Sequence, residues 1–286
     1  MNYQWYPGHM TKAKRQMQED IKLIDLIIEV VDARIPLSSR NPDIDELGKN
    51  KARMVLLNKS DLADPVINKQ WVSYFQNKKI HTLEVNSKSG AGLKAIQSTV
   101  NEACKEKIER DRKRGIKNRP VRAMVVGIPN VGKSTFINSY AGKACAKTGN
   151  KPGVTKGKQW IKLNKGLELL DTPGILWPKF EDQATGMRLA FIGSINDEIL
   201  VMEEVACDFA AYISKLYPDA IAKHYNIPIE TEPDYHTLQE IAIARKCLVS
   251  GGEPDIAKAA RMLLDDYRAG RLGRLSLERP IVDEEE

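Results

Sequence analysis

The sequence predicts an α/β protein in which a doubly wound, mostly parallel sheet is followed by an all-helical domain. Three observations carry that expectation. Short β-branched runs alternate with helix-like segments through the first two thirds of the chain. A glycine-rich turn, Gly127 to Ser134 (GIPNVGKS), stands between one such run and a helix-like segment, and from about residue 198 onward only helical spacing recurs. The 286 residues are therefore expected to divide into a sheet domain over 1–197 and a helical domain over 198–286.

Residues 24–32 (IDLIIEVVD) and 53–57 (RMVLL) are apolar, β-branched and bounded by polar turns, as buried parallel strands are, although Glu29 interrupts the first. A third strand is expected at 81–85. Helices are expected near 43–49 and 65–77, the second opening after Asp64 with Pro65 in its first turn, where a missing N–H costs nothing. Residues 93–114 read as one long helix closed by Gly115, followed by a basic connector and the strand 121–126 (VRAMVV). After the glycine-rich turn come the helix-like STFINSY and strands at 158–163 and 167–170, the second leading into Asp171. Helices over 199–216, 237–249 and 255–268 complete the chain.

Composition narrows the class. Hydrophobic residues make up 42% and charged residues 29%, and no run of 18 apolar residues could cross a membrane. The polar and aromatic start, MNYQWYPGHM, lacks the apolar stretch of a secretory signal, so a cytoplasmic location is expected. Cys104, Cys145, Cys207 and Cys247 lie far apart without a CxxC pair, which suggests neither a zinc site nor a disulfide framework. The net charge is +6. Between Lys105 and Arg122 nine basic residues face three acidic ones, a pattern that suits either a polyanionic partner or a solvated helix face.

The chemistry resides in four motifs. GIPNVGKS matches G-x-x-x-x-G-K-[ST] in its required strand-turn-helix setting. Its residues Asn130, Val131, Gly132, Lys133, Ser134 and Thr135 form the expected phosphate cradle; Lys133 neutralises the β- and γ-phosphates and Ser134 ligates Mg²⁺. Asn58, Lys59, Ser60 and Asp61 (NKSD) end a strand, where the Asp61 carboxylate can accept hydrogen bonds from guanine N1–H and N2–H₂, a donor pair adenine lacks. Asn86, Ser87 and Lys88 (NSK) would place a backbone N–H against guanine O6. Asp171 to Gly174 (DTPG) reads as the turn that senses Mg²⁺ through Asp171 and the γ-phosphate through the Gly174 N–H, and Thr155 is placed to close over Mg²⁺.

The order of these motifs is unusual, because guanine recognition at 58 and 86 precedes the phosphate loop at 127 and the metal turn at 171. The chain here resembles the circularly permuted P-loop GTPases, and more closely the ribosome biogenesis GTPase A (YlqF) family. The shared motifs are YPGHM, DARIP (Asp32 to Pro36), NKSD, GIPNVGKS, PGVT, DTPG and a helical C-terminal domain. The resemblance implies a cytoplasmic GTPase that acts in late maturation of the large (50S) ribosomal subunit. It would bind 23S ribosomal RNA, with no DNA partner, and hydrolyse GTP to GDP and phosphate to drive its own release. The alternative is a GTP-dependent RNA-binding scaffold in which hydrolysis is incidental; an ATPase is disfavoured by Asp61.

Ile175 occupies the position after DTPG where small GTPases carry a water-orienting glutamine. The resemblance points to His9 for that task, beside Lys133 and Thr155 as catalytic residues, with capping or RNA contact as the other reading of His9. It also points to Asn130 as a ligand of K⁺. The DTPG turn leads through 177–196 into the helical domain, so ordering of the turn could reorient that domain. Arg245, Lys246, Lys258, Arg261, Arg268, Arg271, Arg274 and Arg279 are candidates for phosphate-backbone contacts or a solvated face.

Overall fold

The computed structural model describes residues 15, 17–116, 119–146, 159–163, 166–172, 182–228 and 234–280. In chain order the first unit comprises β1 (Leu26–Asp32), α1 (Asp43–Leu47), β2 (Ala52–Asn58), α2 (Pro65–Asn77), β3 (His81–Glu84), α3 (Ile96–Ala103), α4 (Lys105–Lys113), β4 (Val121–Val126), α5 (Lys133–Ala141), β5 (Gln159–Leu163) and β6 (Leu167–Asp171). The six strands form one sheet in the order β3-β2-β1-β4-β6-β5. All pairings are parallel except β5 with β6. This is the expected mostly parallel sheet.

Every residue of β1 is buried, which explains its apolar character on both faces. Glu29 is tolerated in it because Arg40 Nε donates to its carboxylate at 2.9 Å and Arg53 pairs with it, while Asp45 joins the two guanidiniums. α2 opens as the sequence suggests. Pro65 is its first residue, and the Asp64 carboxylate accepts the Val66 N–H at 2.8 Å. Its Ile67, Trp71 and Phe75 pack with Val31, Val55 and Leu57, and a second cluster joins Met17, Ile21, Ile24 and Ile44 to Ile27, Met124, Val126 and Leu170.

The single helix expected over 93–114 is three pieces. A 3₁₀ turn at Leu93–Ala95 precedes α3, and α3 and α4 break at Cys104 (φ −104°, ψ 16°). α3 buries Ile96 and Val100, whereas the residue α4 buries is Asp111, whose carboxylate pairs with Lys107. The apolar stripe stops at the break, and with it the reason for one straight helix.

A second compact unit is helical and ends at Leu277, while the sheet unit resumes at Glu278. It contains α6 (Gln183–Phe191), α7 (Met202–Leu216), α8 (Ala220–Tyr225), α9 (Tyr235–Ala244) and α10 (Ile256–Arg268). The division therefore differs from 197/198: α6 already belongs to the helical unit. α6 has no long apolar repeat to mark it in the sequence, but Asp182 is its N-cap, accepting the Ala184 N–H at 2.9 Å. The helix expected from 199 starts only at Met202, after a 3₁₀ turn capped by Asn196 and an extended Leu200–Val201 pair. The helix expected to reach 249 stops at Ala244, and Lys246 adopts φ +54°. Phe191, Phe209 and Tyr267 form the aromatic centre, with ring centroids 5.3 and 4.7 Å apart.

Three of the basic residues taken as RNA candidates have structural work. Arg268 donates to the carbonyls of Phe191 and Ala190, at 3.0 and 2.8 Å, and pairs with Asp197, so it caps the end of α6 from inside the unit. Arg271 pairs with Asp266, and Arg245 lies over the Tyr225 ring while donating to the His224 carbonyl. Lys246, Lys258 and Arg261 are exposed. Among the described residues, no helix is long and apolar enough to cross a membrane.

Candidate nucleotide-binding site

β1 and β4 are neighbours, yet the chain builds outward from them in opposite directions, to β2 and β3 on one side and β6 and β5 on the other. Such a reversal opens a crevice beyond the C-terminal ends of the parallel strands. The motif residues converge there. Asp32 ends β1, Asn58 ends β2, Asn86 follows β3, the glycine-rich turn follows β4, and Asp171 ends β6.

The phosphate loop folds through two left-handed residues, Asn130 (φ +64°) and Gly132 (φ +91°). A Cβ on Gly132 would lie 2.4 Å from Asn58 Nδ2, so this position requires glycine for both conformation and space. α5 begins at Lys133, with Ser134 and Thr135 half-buried in its first turn. Lys133 is 5% exposed and its ammonium pairs with the Asp171 carboxylate. Burial lowers the Lys133 pKa from the ordinary lysine value, against the opposing pull of Asp171. A helix N-terminus, a buried lysine and a carboxylate at the end of the next strand thus meet at one point. The Ser134 hydroxyl and Asp171 carboxylate are oxygen donors of the kind a hard divalent ion takes. Among the described residues no group of three or more His, Cys, Asp or Glu is arranged to hold a metal ion by itself. An ion here would complete its shell with phosphate oxygens and water, as Mg²⁺ commonly does.

On the guanine side Asn58 stitches three motifs together. Its Nδ2 donates to the Val131 carbonyl at 2.7 Å and its Oδ1 accepts the Ser87 N–H at 3.0 Å. Lys59, itself at φ +57°, donates from Nζ to the Asn130 carbonyl at 2.7 Å and to Asp32 Oδ2 at 3.0 Å. The Ser60 carbonyl accepts from Asn68 Nδ2 of α2 at 3.1 Å, and Asp61 stands exposed at the rim. In the NSK turn Asn86 Oδ1 accepts the N–H groups of Lys88 and Ser89 at 2.9 and 3.0 Å, and Ser139 Oγ donates to the Ser87 carbonyl at 2.6 Å. The Ser87 and Lys88 N–H groups are therefore both engaged within the protein.

The structure brings together Asn58, Lys59, Ser60, Asp61, Asn86, Ser87, Lys88, Asn130, Val131, Gly132, Lys133, Ser134, Thr135 and Asp171 along one sheet edge. His9, Thr155, Gly174 and Ile175 lie outside the described residues, as do YPGHM and PGVT. Asn68 is a contribution that lies outside every motif, and Asp32, which opens the DARIP motif, gains a site role only here. The signal for Asp32 was present, a carboxylate ending a mostly apolar strand, but its partner Lys59 lies 27 residues away.

Comparison with known proteins agrees with this geometry. The family model described as 50S ribosome-binding GTPase matches residues 122–229. Ribosome biogenesis GTPase A of Bacillus cereus is 48% identical over 98% of this chain and 95% of its own length. Mitochondrial ribosome-associated GTPase 1 of Mus musculus is 35% identical over 97% of this chain and 90% of its own. The crystal structure of GNP-bound YlqF from Thermotoga maritima superposes with a TM-score of 0.67 at 28% identity, covering 94% of this chain and 99% of that one. With phosphate-loop and guanine-recognition turns joined across one sheet edge and relatives of this identity over nearly its whole length, the chain belongs to the ribosome biogenesis GTPase A family of P-loop GTPases.

Proposed function

We propose that this GTPase is a cytoplasmic assembly factor for the late maturation of the large (50S) ribosomal subunit. In its GTP form it docks on 23S ribosomal RNA, and hydrolysis to GDP and phosphate releases it. The observation that carries the reading is the Asn58 stitch, which holds the base-recognition and phosphate-binding turns as one unit. Its similarity to a ribosome biogenesis GTPase and to a ribosome-associated GTPase supports the ribosomal setting.

The phosphates lie over the N-terminus of α5, where backbone N–H groups and Lys133 oppose their charge. Ser134, Asp171 and Thr155 would hold Mg²⁺, which would supply neutralisation of the phosphate charge. His9 orients the attacking water in place of the glutamine that Ile175 replaces, and Asn130 would hold a K⁺ whose charge would stand in for an arginine finger. Lys246, Lys258 and Arg261 contribute phosphate-backbone contacts from the helical unit.

The test is GTP hydrolysis in potassium buffer with and without purified large subunits. Strong stimulation that disappears in Lys133→Ala supports the assembly switch, and its loss in sodium buffer or in His9→Ala supports those two assignments. Absence of stimulation with GTP-dependent binding intact favours the scaffold reading instead.

A further inference from the structure

We propose that Asp32 is a positioning residue for guanine-nucleotide binding, whose buried carboxylate holds the Lys59 ammonium as a brace between the guanine-recognition turn and the phosphate loop. The inference rests on the nucleotide reading of the site. Asp32 is the last residue of β1 and is fully buried. The parallel register sets it beside Asn58, and the Ala33 N–H donates to the Asn58 carbonyl at 2.8 Å, so β1 delivers the carboxylate directly to the base of NKSD.

The two carboxylate oxygens take four donors. Oδ1 accepts the Arg34 N–H and Nε at 3.1 and 2.9 Å; Oδ2 accepts the second Arg34 nitrogen at 2.8 Å and Lys59 Nζ at 3.0 Å. Lys59 is a quarter exposed, and its other anchor is the Asn130 carbonyl. A lysine stem is costly to order, and two fixed acceptors order it before nucleotide arrives. One carboxylate shared by two cations also leaves a net positive charge at the rim of an anion site. The competing account makes Asp32 only the counter-ion of Arg34, itself buried.

The experiment separates the two accounts. Asp32→Leu with Arg34→Met removes both buried charges together, so neither is left unpaired. The Kd for fluorescent GDP and the KM for GTP are measured in this double variant, in Lys59→Met and in their combination. The expected result is about tenfold weaker GDP binding in the double variant, the worth of one charge-assisted hydrogen bond, with KM rising in parallel. Introducing the double variant into Lys59→Met should cost nothing further, because Asp32 acts through Lys59. Wild-type affinity in the double variant, or losses that multiply on combination, overturn the proposal. If the double variant does not fold, Asp32→Asn carries the same cycle with the same two outcomes. A wild-type chain that binds no GDP overturns the nucleotide reading and this proposal with it.

Discussion

Asp32 and Lys133 are buried ionisable residues at opposite ends of one site, and their environments act on them differently. For Asp32, burial alone would raise the pKa, but the Arg34 and Lys59 charges outweigh it and hold the carboxyl well below the usual carboxylate range. The folded-state pKa is thus below the unfolded value of 3.8, so the stabilisation is fully present above that value and is lost as pH falls further. Urea unfolding from about pH 5 to about pH 2 should show a steeper loss of stability in wild type than in Asp32→Asn. Asp61 works through its acceptors. Hypoxanthine lacks the guanine N2 amino group, so wild type should prefer GDP to IDP and Asp61→Ala should compress that preference, as competitive titration would reveal. Lys133 and Asp61 were legible because each stands inside a contiguous motif. Asp32 also opens a motif, but its role is defined by Lys59, and that meeting requires β1 to lie beside β2.

At the scale of elements, turns and helix ends carry the specificity of the fold. Gly132→Ala should be damaging twice over. It places a Cβ in a left-handed conformation and against Asn58 Nδ2, displacing the side chain that joins three motifs. A loss of about 2 kcal/mol or more in unfolding free energy, together with weakened GDP binding, is expected from denaturation and titration. In the helical unit, Arg268→Met should cost about 2 kcal/mol by leaving the end of α6 uncapped and Asp197 unpaired. Lys246, Lys258 and Arg261 changed together to Ala should leave thermal stability nearly intact and weaken binding to large subunits, with a shallower salt dependence. Sequence alone placed all eight basic residues in one class. Whether a cation faces solvent or caps a neighbouring helix is decided by which helix packs beside it, and α6 itself was recognisable only from its Asp182 cap.

At the scale of the molecule, the chain leaves the sheet unit after β6 and rejoins it at Glu278, so the helical unit is an insertion between two attached ends. The Glu278 carboxylate accepts the Leu37 N–H at 2.7 Å and both the N–H and hydroxyl of Ser38, and its carbonyl accepts Trp71 Nε1 at 3.2 Å. Glu278→Ala should accelerate hydrogen exchange at Leu37 and Ser38, read by mass spectrometry, while leaving exchange along β1 slow. The sequence by itself determined the strand and turn types, the nucleotide motifs and their permuted order, since each rests on spacing or backbone preference within a few residues. Only the tertiary structure decided that β1 and β4 flank the crevice, that Asn58 joins Val131 to Ser87, that Lys59 is braced by Asp32, and that Glu278 returns to the loop after β1. Those contacts span from 27 to 241 residues of chain, and a hydrogen bond across such a distance exists only once strand order and register have put donor and acceptor within reach.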